Sequence, residues 1–154
     1  MDSGRAQIQN LLKTIKLEDI MTRHVVTIHI NAPFREVPQK FNEHGLRHLP
    51  VVDNSGRLAG LMTQRDLYKI QPPHKLMDGE WYYDLEMLDG IILSSVMIPQ
   101  PFSMRPEDSV GEAIQQMVSH KYGCIFVVDE NRVLRGIITQ MDVLKLAARL
   151  YNGP

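Results

Sequence analysis

The sequence predicts a mixed α/β (α+β) protein built from two tandem copies of one strand-helix-strand-strand-helix unit. Three observations carry that prediction. Slid against itself by 76 positions, the chain lays residues 19–69 over 95–145 without a gap, and 13 of the 51 aligned pairs are identical. Within each copy the apolar pattern alternates between short β-like runs and the i, i+3, i+4 spacing of a helix. A copy of about 55 residues buries too little surface to be comfortable alone, so the two are expected to pack together about a pseudo-twofold axis.

Taken in order, Ile8, Leu11, Leu12 and Ile15 have helical spacing and predict a short amphipathic extension over residues 1–16. The first copy, 17–70, opens with an apolar stretch at 25–28, followed by Asn31, Ala32 and Pro33 as a cap and first turn. A helix then runs to His44 and Gly45, where glycine is a natural stop; Pro38 is expected to kink or shorten it. Strands follow at 48–52 and 58–62, joined through Asp53-Asn54-Ser55-Gly56, and Thr63 opens the closing helix. The second copy, 95–151, repeats the pattern, with a helix opened near Asp108 carrying Ala113, Ile114, Met117 and Val118 inward, strands at 124–128 and 133–138, and a helix from Thr139. Val143, Leu144, Ala147, Leu150 and Tyr151 give that last helix an apolar face. Between the copies, 71–94 reads as an acidic linker in which Trp81, Leu85 and Leu88 mark one short helix.

Composition narrows the function. Seventeen Lys and Arg against 18 Asp and Glu give a formal charge of -1, so no basic field exists to hold nucleic acid, and no nucleic-acid partner is expected. No apolar run approaches the roughly 20 residues of a membrane span, and no signal peptide is visible. A soluble, cytoplasmic protein is therefore expected. The single cysteine, Cys124, sits in YGCIFVVD and reads as a buried small hydrophobe.

One pattern recurs with chemistry in it: Gly-apolar-apolar-Thr-Gln-x-Asp, as GLMTQRD (60–66) and GIITQMD (136–142). Thr with Asp three residues on is a capping arrangement that satisfies the free amides of a helix start. The same geometry suits a ligand. A helix N-terminus favours phosphate, a carboxylate one turn in can accept the hydroxyls of a ribose, and the glycine permits close approach. Spacing alone leaves both roles open.

The duplicated unit resembles a pair of CBS domains, the tandem Bateman module. DIMTRHVVTI, HGLRHLPVVD and GLMTQRD carry the resemblance in the first copy, and SVMIPQPFSM, KYGCIFVVD and GIITQMD in the second. It covers roughly residues 17–150. The resemblance implies a regulatory, non-enzymatic module that binds an adenine nucleotide or adenosyl ligand (AMP, ADP, ATP or S-adenosylmethionine) in clefts between its units. It further implies that Asp66 and Asp142 hold ribose, that Thr63 and Thr139 face ribose or phosphate, and that the backbone near Thr27-Ile28 and Ser103-Met104 reads the base. Pro50 and its counterpart Phe126 would lie beside the base. Phe126 departs from the usual proline, and its ring would either stack on adenine or close the cleft. Arg65 faces Met141 and Arg47 faces Gly123 in the alignment, so the two clefts are expected to differ, the one using Arg65 binding phosphate more tightly.

Other candidates are weaker. Arg23, His24, Arg47 and His48 read either as solvated turn residues or as the phosphate side of a cleft. His44 and His48 are four apart, but Gly45 ends the helix between them, so no metal site is expected. Asp53 and Asp129 follow strands and read as turn formers. With no GxSxG turn and no lysine-bearing phosphate loop, no catalytic residue is assigned. A homodimer through Leu67, Leu144, Ala147 and Leu150 is expected, with an unidentified regulated protein as partner. The rival expectation is a structural or interaction module whose clefts are filled by side chains.

Overall fold

The computed structural model describes residues 2–154. The chain divides into two compact units: a central one, Val26–Pro101, and a terminal one formed by the residues through Val25 with Phe102–Pro154. In chain order the elements are α1 (Asp2–Thr14), α2 (Leu17–Ile20), β1 (Ile28–His29), α3 (Glu36–His44), β2 (His48–Val52), β3 (Leu58–Thr63) and α4 (Gln64–Ile70). There follow β4 (His74–Lys75), β5 (Trp81–Tyr82), α5 (Leu85–Asp89), α6 (Leu93–Val96), β6 (Ile98–Pro99), β7 (Ser103–Met104), α7 (Val110–His120), β8 (Cys124–Val128), β9 (Leu134–Thr139) and α8 (Gln140–Asn152).

The repeat is reproduced down to register. In the central unit β1 runs parallel to β2, with Ile28 opposite Val51, and β2 pairs antiparallel with β3, with Val51 opposite Gly60 and a bulge before Val52 meets Leu58. In the terminal unit Met104 lies opposite Val127, Val127 opposite Gly136, and the same bulge precedes Val128 opposite Leu134. The identical Val-Val-Asp and Leu-x-Gly residues are thus the ones that set this pairing. The aspartates of both turns behave as expected: Asp53 Oδ1 accepts from the amides of Ser55 and Arg57, and Asp129 Oδ1 from those of Asn131 and Val133.

The units that fold together are not the sequence copies. The leading segment of copy one belongs to the terminal unit, where Leu17 joins the core of Val110, Ala113, Ile125, Val127, Ile138 and Leu146. The leading segment of copy two belongs to the central unit: Leu93 joins Phe34, Val37, Phe41, Leu49, Val51, Met62 and Leu67. Backbone bonds fix the exchange. Thr22 and Ile137 bond each other through both amides, and at the matching place β6 pairs with β3, with Ile98 opposite Leu61. The extension α1 also packs on copy two, meeting α7 so closely that a Cβ at Gly111 would lie 3.2 Å from the Leu12 carbonyl oxygen.

Four local expectations are corrected. The first-copy helix starts at Glu36 rather than near Pro33, which places Pro38 in its first turn, where a missing amide donor costs no intrahelical bond. Trp81 lies in β5, not in the linker helix, which begins after Asp84 caps the amides of Glu86 and Met87. Val118 is 74 % exposed, because Val110, Ala113 and Met117 already fill the inner face of α7. Leu67, expected on a dimer surface, is 1 % exposed within the central core and has no side chain to offer there. Leu144, Ala147 and Leu150 are exposed on α8.

Candidate functional site

Each strand-to-helix junction is built from its own sequence. Thr63 ends β3 in extended backbone (φ -105°, ψ 153°), and its hydroxyl oxygen accepts the Asp66 amide at 3.0 Å, opening α4. That hydroxyl donates to Asp66 Oδ2 at 2.7 Å. The junction is tied to the start of β2: His48 is the cross-strand partner of Thr63, and the Gln64 amide donates to the Arg47 carbonyl at 3.0 Å. Thr139 repeats the arrangement (φ -110°, ψ 167°), and here the capping box is complete, with Asp142 Oδ2 accepting both the Thr139 amide at 2.8 Å and its hydroxyl at 3.0 Å.

The two carboxylates nevertheless differ. Asp142 is 7 % exposed, and its Oδ1 accepts the Thr22 hydroxyl at 3.0 Å. Asp66 is half-buried, and its Oδ1 has no hydrogen-bond partner among the described residues. The alignment explains the difference, because the counterpart of Thr22 is Ile98, which has no hydroxyl. The sequence signal lay in that mismatch beside the identical Met21 and Met97.

The glycine of the motif has a different occupant from the one expected. A Cβ at Gly136 would lie 2.6 Å from Met21 Sδ and 3.0 Å from the Thr22 carbonyl, and a Cβ at Gly60 would overlap Met97 Sδ. The space is filled by a methionine of the exchanged segment, so both glycines are explained by packing within their units.

The remaining candidates fall into two sets. Thr27, Ile28, Arg47, Pro50, Thr63, Arg65 and Asp66 all belong to the central unit, and Ser103, Met104, Phe126, Thr139 and Asp142 to the terminal one. In each sheet the strand expected to read a base is the parallel neighbour of the strand bearing Pro50 or Phe126, with Ser103 directly opposite Phe126. Ile28 and Met104 are buried, which leaves their backbone rather than their side chains for recognition. Pro50 is buried as well, and Phe126, at 1 % exposure, has no free ring face on which a base could stack. Arg47 and Arg65 are exposed and make no side-chain hydrogen bond or ion pair among the described residues. Burial, with a smaller push from Arg47, holds the His48 pKa below the usual histidine value. Burial pushes the Cys124 thiol up to about 12, which keeps it protonated and unreactive.

Among the described residues no group of three or more His, Cys, Asp or Glu comes together to hold a metal ion, and no helix is long and apolar enough to cross a membrane.

Comparison with known proteins places this geometry. A Vibrio cholerae protein bearing the acetoin-utilization name AcuB is 31 % identical, with a TM-score of 0.74 over 90 % of this chain and 94 % of that one. CBSX2, a CBS-pair protein of Arabidopsis thaliana solved in complex with AMP, shares the fold at 21 % identity, with a TM-score of 0.74 over 89 % of this chain and 98 % of that one. The CBS domain pair of protein MJ0100, solved with 5'-methylthioadenosine and S-adenosyl-L-methionine, shares it at 22 %, with a TM-score of 0.69 over 88 % and 97 %. Among curated relatives, an uncharacterized protein of Methanocaldococcus jannaschii is 28 % identical over 96 % of this chain. The chain spans about half the length of that relative, and 36 % and 26 % of the next two. Residues 17–72 and 93–149 each match the CBS domain model, and the chain therefore belongs to the CBS domain family as a tandem pair.

Proposed function

We propose that the chain is a regulatory module that binds an adenosine-containing ligand (AMP, ADP, ATP or S-adenosylmethionine) and performs no covalent chemistry of its own. The observation that carries this reading is Asp66, a half-buried carboxylate with a free oxygen at a strand-to-helix junction that recurs at Asp142. Such a group is placed to accept the two hydroxyls of a ribose. The exposed Arg65 and Arg47 beside it supply cations for phosphate. Support also comes from the AMP, methylthioadenosine and S-adenosylmethionine complexes of proteins with this fold. A ligand of this kind regulates by preferring one arrangement of the chain, and the change passes to a partner. A homodimer in the cytoplasm is part of the reading, with Leu144, Ala147 and Leu150 as its apolar contact.

Calorimetric titration with AMP, ADP, ATP, S-adenosylmethionine and NAD tests it. Saturable binding that Asp66→Ala weakens is the expected result. Silence with every one of these ligands would sink the proposal. A closed interaction module is the second reading, favoured in the terminal unit by the covered ring of Phe126 and by Asp142, both of whose oxygens accept hydrogen bonds from the protein.

A further inference from the structure

An ionised carboxylate offers about four lone-pair sites, two on each oxygen. Asp142 has committed three of them within the protein: one on Oδ1 to the Thr22 hydroxyl, and two on Oδ2 to the Thr139 amide and hydroxyl. Asp66 has committed one, on Oδ2 to the Thr63 hydroxyl. A ribose diol brings two O–H donors and needs two open sites on the carboxylate. Asp66 meets that demand as it stands. Asp142 has a single site left, on the oxygen that Thr22 already holds, and is itself almost wholly buried. Admitting a diol there requires the Thr22 hydroxyl to swing away and lose its acceptor.

Thr22 is held in place to do this. Its amide and carbonyl both bond Ile137, the strand residue two before Thr139, so its side chain stands beside the junction whether or not the hydroxyl engages. In the central unit the same position is Ile98, bonded in the same way across from Leu61, and its side chain has no hydrogen to donate. At Oδ1, one residue difference thus separates an engaged oxygen from an open one.

We propose that Thr22 is a specificity-determining latch that reserves Asp142 for the protein, so that each chain carries one adenosyl site, at Asp66, rather than two. The inference rests on the adenosyl reading above, and its test separates the two. Full-length protein is titrated with AMP and with adenosine by calorimetry, and one site per chain is expected for the wild type. Thr22→Val keeps the backbone bridge and the shape but removes the donor, and is expected to open a second site. A hydrogen bond to a charged acceptor is worth about one to two decades in affinity, so that second site should tighten at least about ten-fold. Ile98→Thr installs the latch in the central unit and should weaken the Asp66 site by a similar factor.

Two equivalent sites in the wild type overturn the latch while leaving the adenosyl reading intact. So does a Thr22→Val protein with unchanged stoichiometry and affinity. No binding of AMP, adenosine, ADP, ATP, S-adenosylmethionine or NAD by the wild type overturns the adenosyl reading and the one-site assignment with it. Should Thr22→Val fail to fold, Ile98→Thr decides the matter alone, since unaltered affinity there means that the position does not govern access to the carboxylate.

Discussion

Replacing Asp142 by alanine should cost the fold far more than replacing Asp66, although the two residues occupy matching positions. Asp142→Ala removes the acceptor of three hydrogen bonds and leaves the Thr139 amide and the Thr22 hydroxyl without it at a site that is 7 % exposed. Asp66→Ala removes the acceptor of one, from the Thr63 hydroxyl, at a half-buried site where water can replace it. In both variants the threonine still caps the amide of residue 66 or 142, so the N-cap itself largely survives. Hydrogen bonds to a charged partner contribute roughly 1.5–3 kcal/mol each, less when the orphaned donor finds water. We expect about 0.5–1 kcal/mol for Asp66→Ala and about 2–4 kcal/mol for Asp142→Ala. At about 2–4 °C per kcal/mol for a chain of this size, the two variants should melt several degrees apart. Urea unfolding followed by circular dichroism, with unchanged m-values, gives the difference directly. Equal midpoints, or a larger loss for Asp66→Ala, would show that the hydrogen bonds to Asp142 add nothing beyond capping, and the reasoning would fail.

Gly136→Ala should destabilise by about 1–3 kcal/mol through overlap with Met21, and the second change Met21→Ala should recover part of the loss; additivity of the two in a double-mutant cycle would refute the contact. The lowered pKa of His48 means that the unfolded chain takes up the proton first, near pH 6.5. Stability should therefore be fully present above that value and fall as pH drops through the lower folded value, and His48→Gln should flatten this part of the profile. Arg65→Met should lower the preference for AMP over adenosine only about three-fold, because the guanidinium is exposed and screened by salt; an unchanged ratio would show that it does not read phosphate.

The repeat, its strands and its caps were legible because they depend on near neighbours. Thr with Asp three residues on caps a helix wherever it occurs, and Gly45 stops one with φ 60°. Pro38 announced a shortened helix, but where the helix would start depended on the preceding turn, in which the Glu36 amide bonds the Pro33 carbonyl. Val118 is exposed and Leu67 buried, the reverse of the expected placement, because apolarity does not say which side of a helix meets the core. The exchange of leading segments was hidden for a different reason. It joins residues far apart in sequence, Thr22 with Ile137 in one unit and Leu61 with Ile98 in the other, and no local propensity encodes such a pairing. Its trace was present all the same, in a methionine and a glycine each identical in both copies.

That trace bears on how an internal duplication should be read. Of the positions identical between the copies, Val51 and Val127, Gly60 and Gly136, and Leu58 and Leu134 set strand register. Met21 and Met97 fill the space over the glycines, Asp53 and Asp129 form the turns, and Thr63 and Thr139 cap helices. Each of these has a structural duty in both units, so identity alone cannot distinguish a ligand-binding residue from a folding one, and Asp66 and Asp142 were open to both readings for that reason. The positions that differ are more informative about binding. Thr22 against Ile98 decides whether the carboxylate's Oδ1 is engaged, Arg65 against Met141 and Arg47 against Gly123 decide where cations stand, and Pro50 against Phe126 changes the residue buried beside the parallel strand expected to read a base. Three of these differences run the same way, leaving the central unit with the free acceptor and both arginines. Independent drift gives no reason for the three to agree, whereas the proposed division of labour, in which one unit binds and the other supports the fold, requires it.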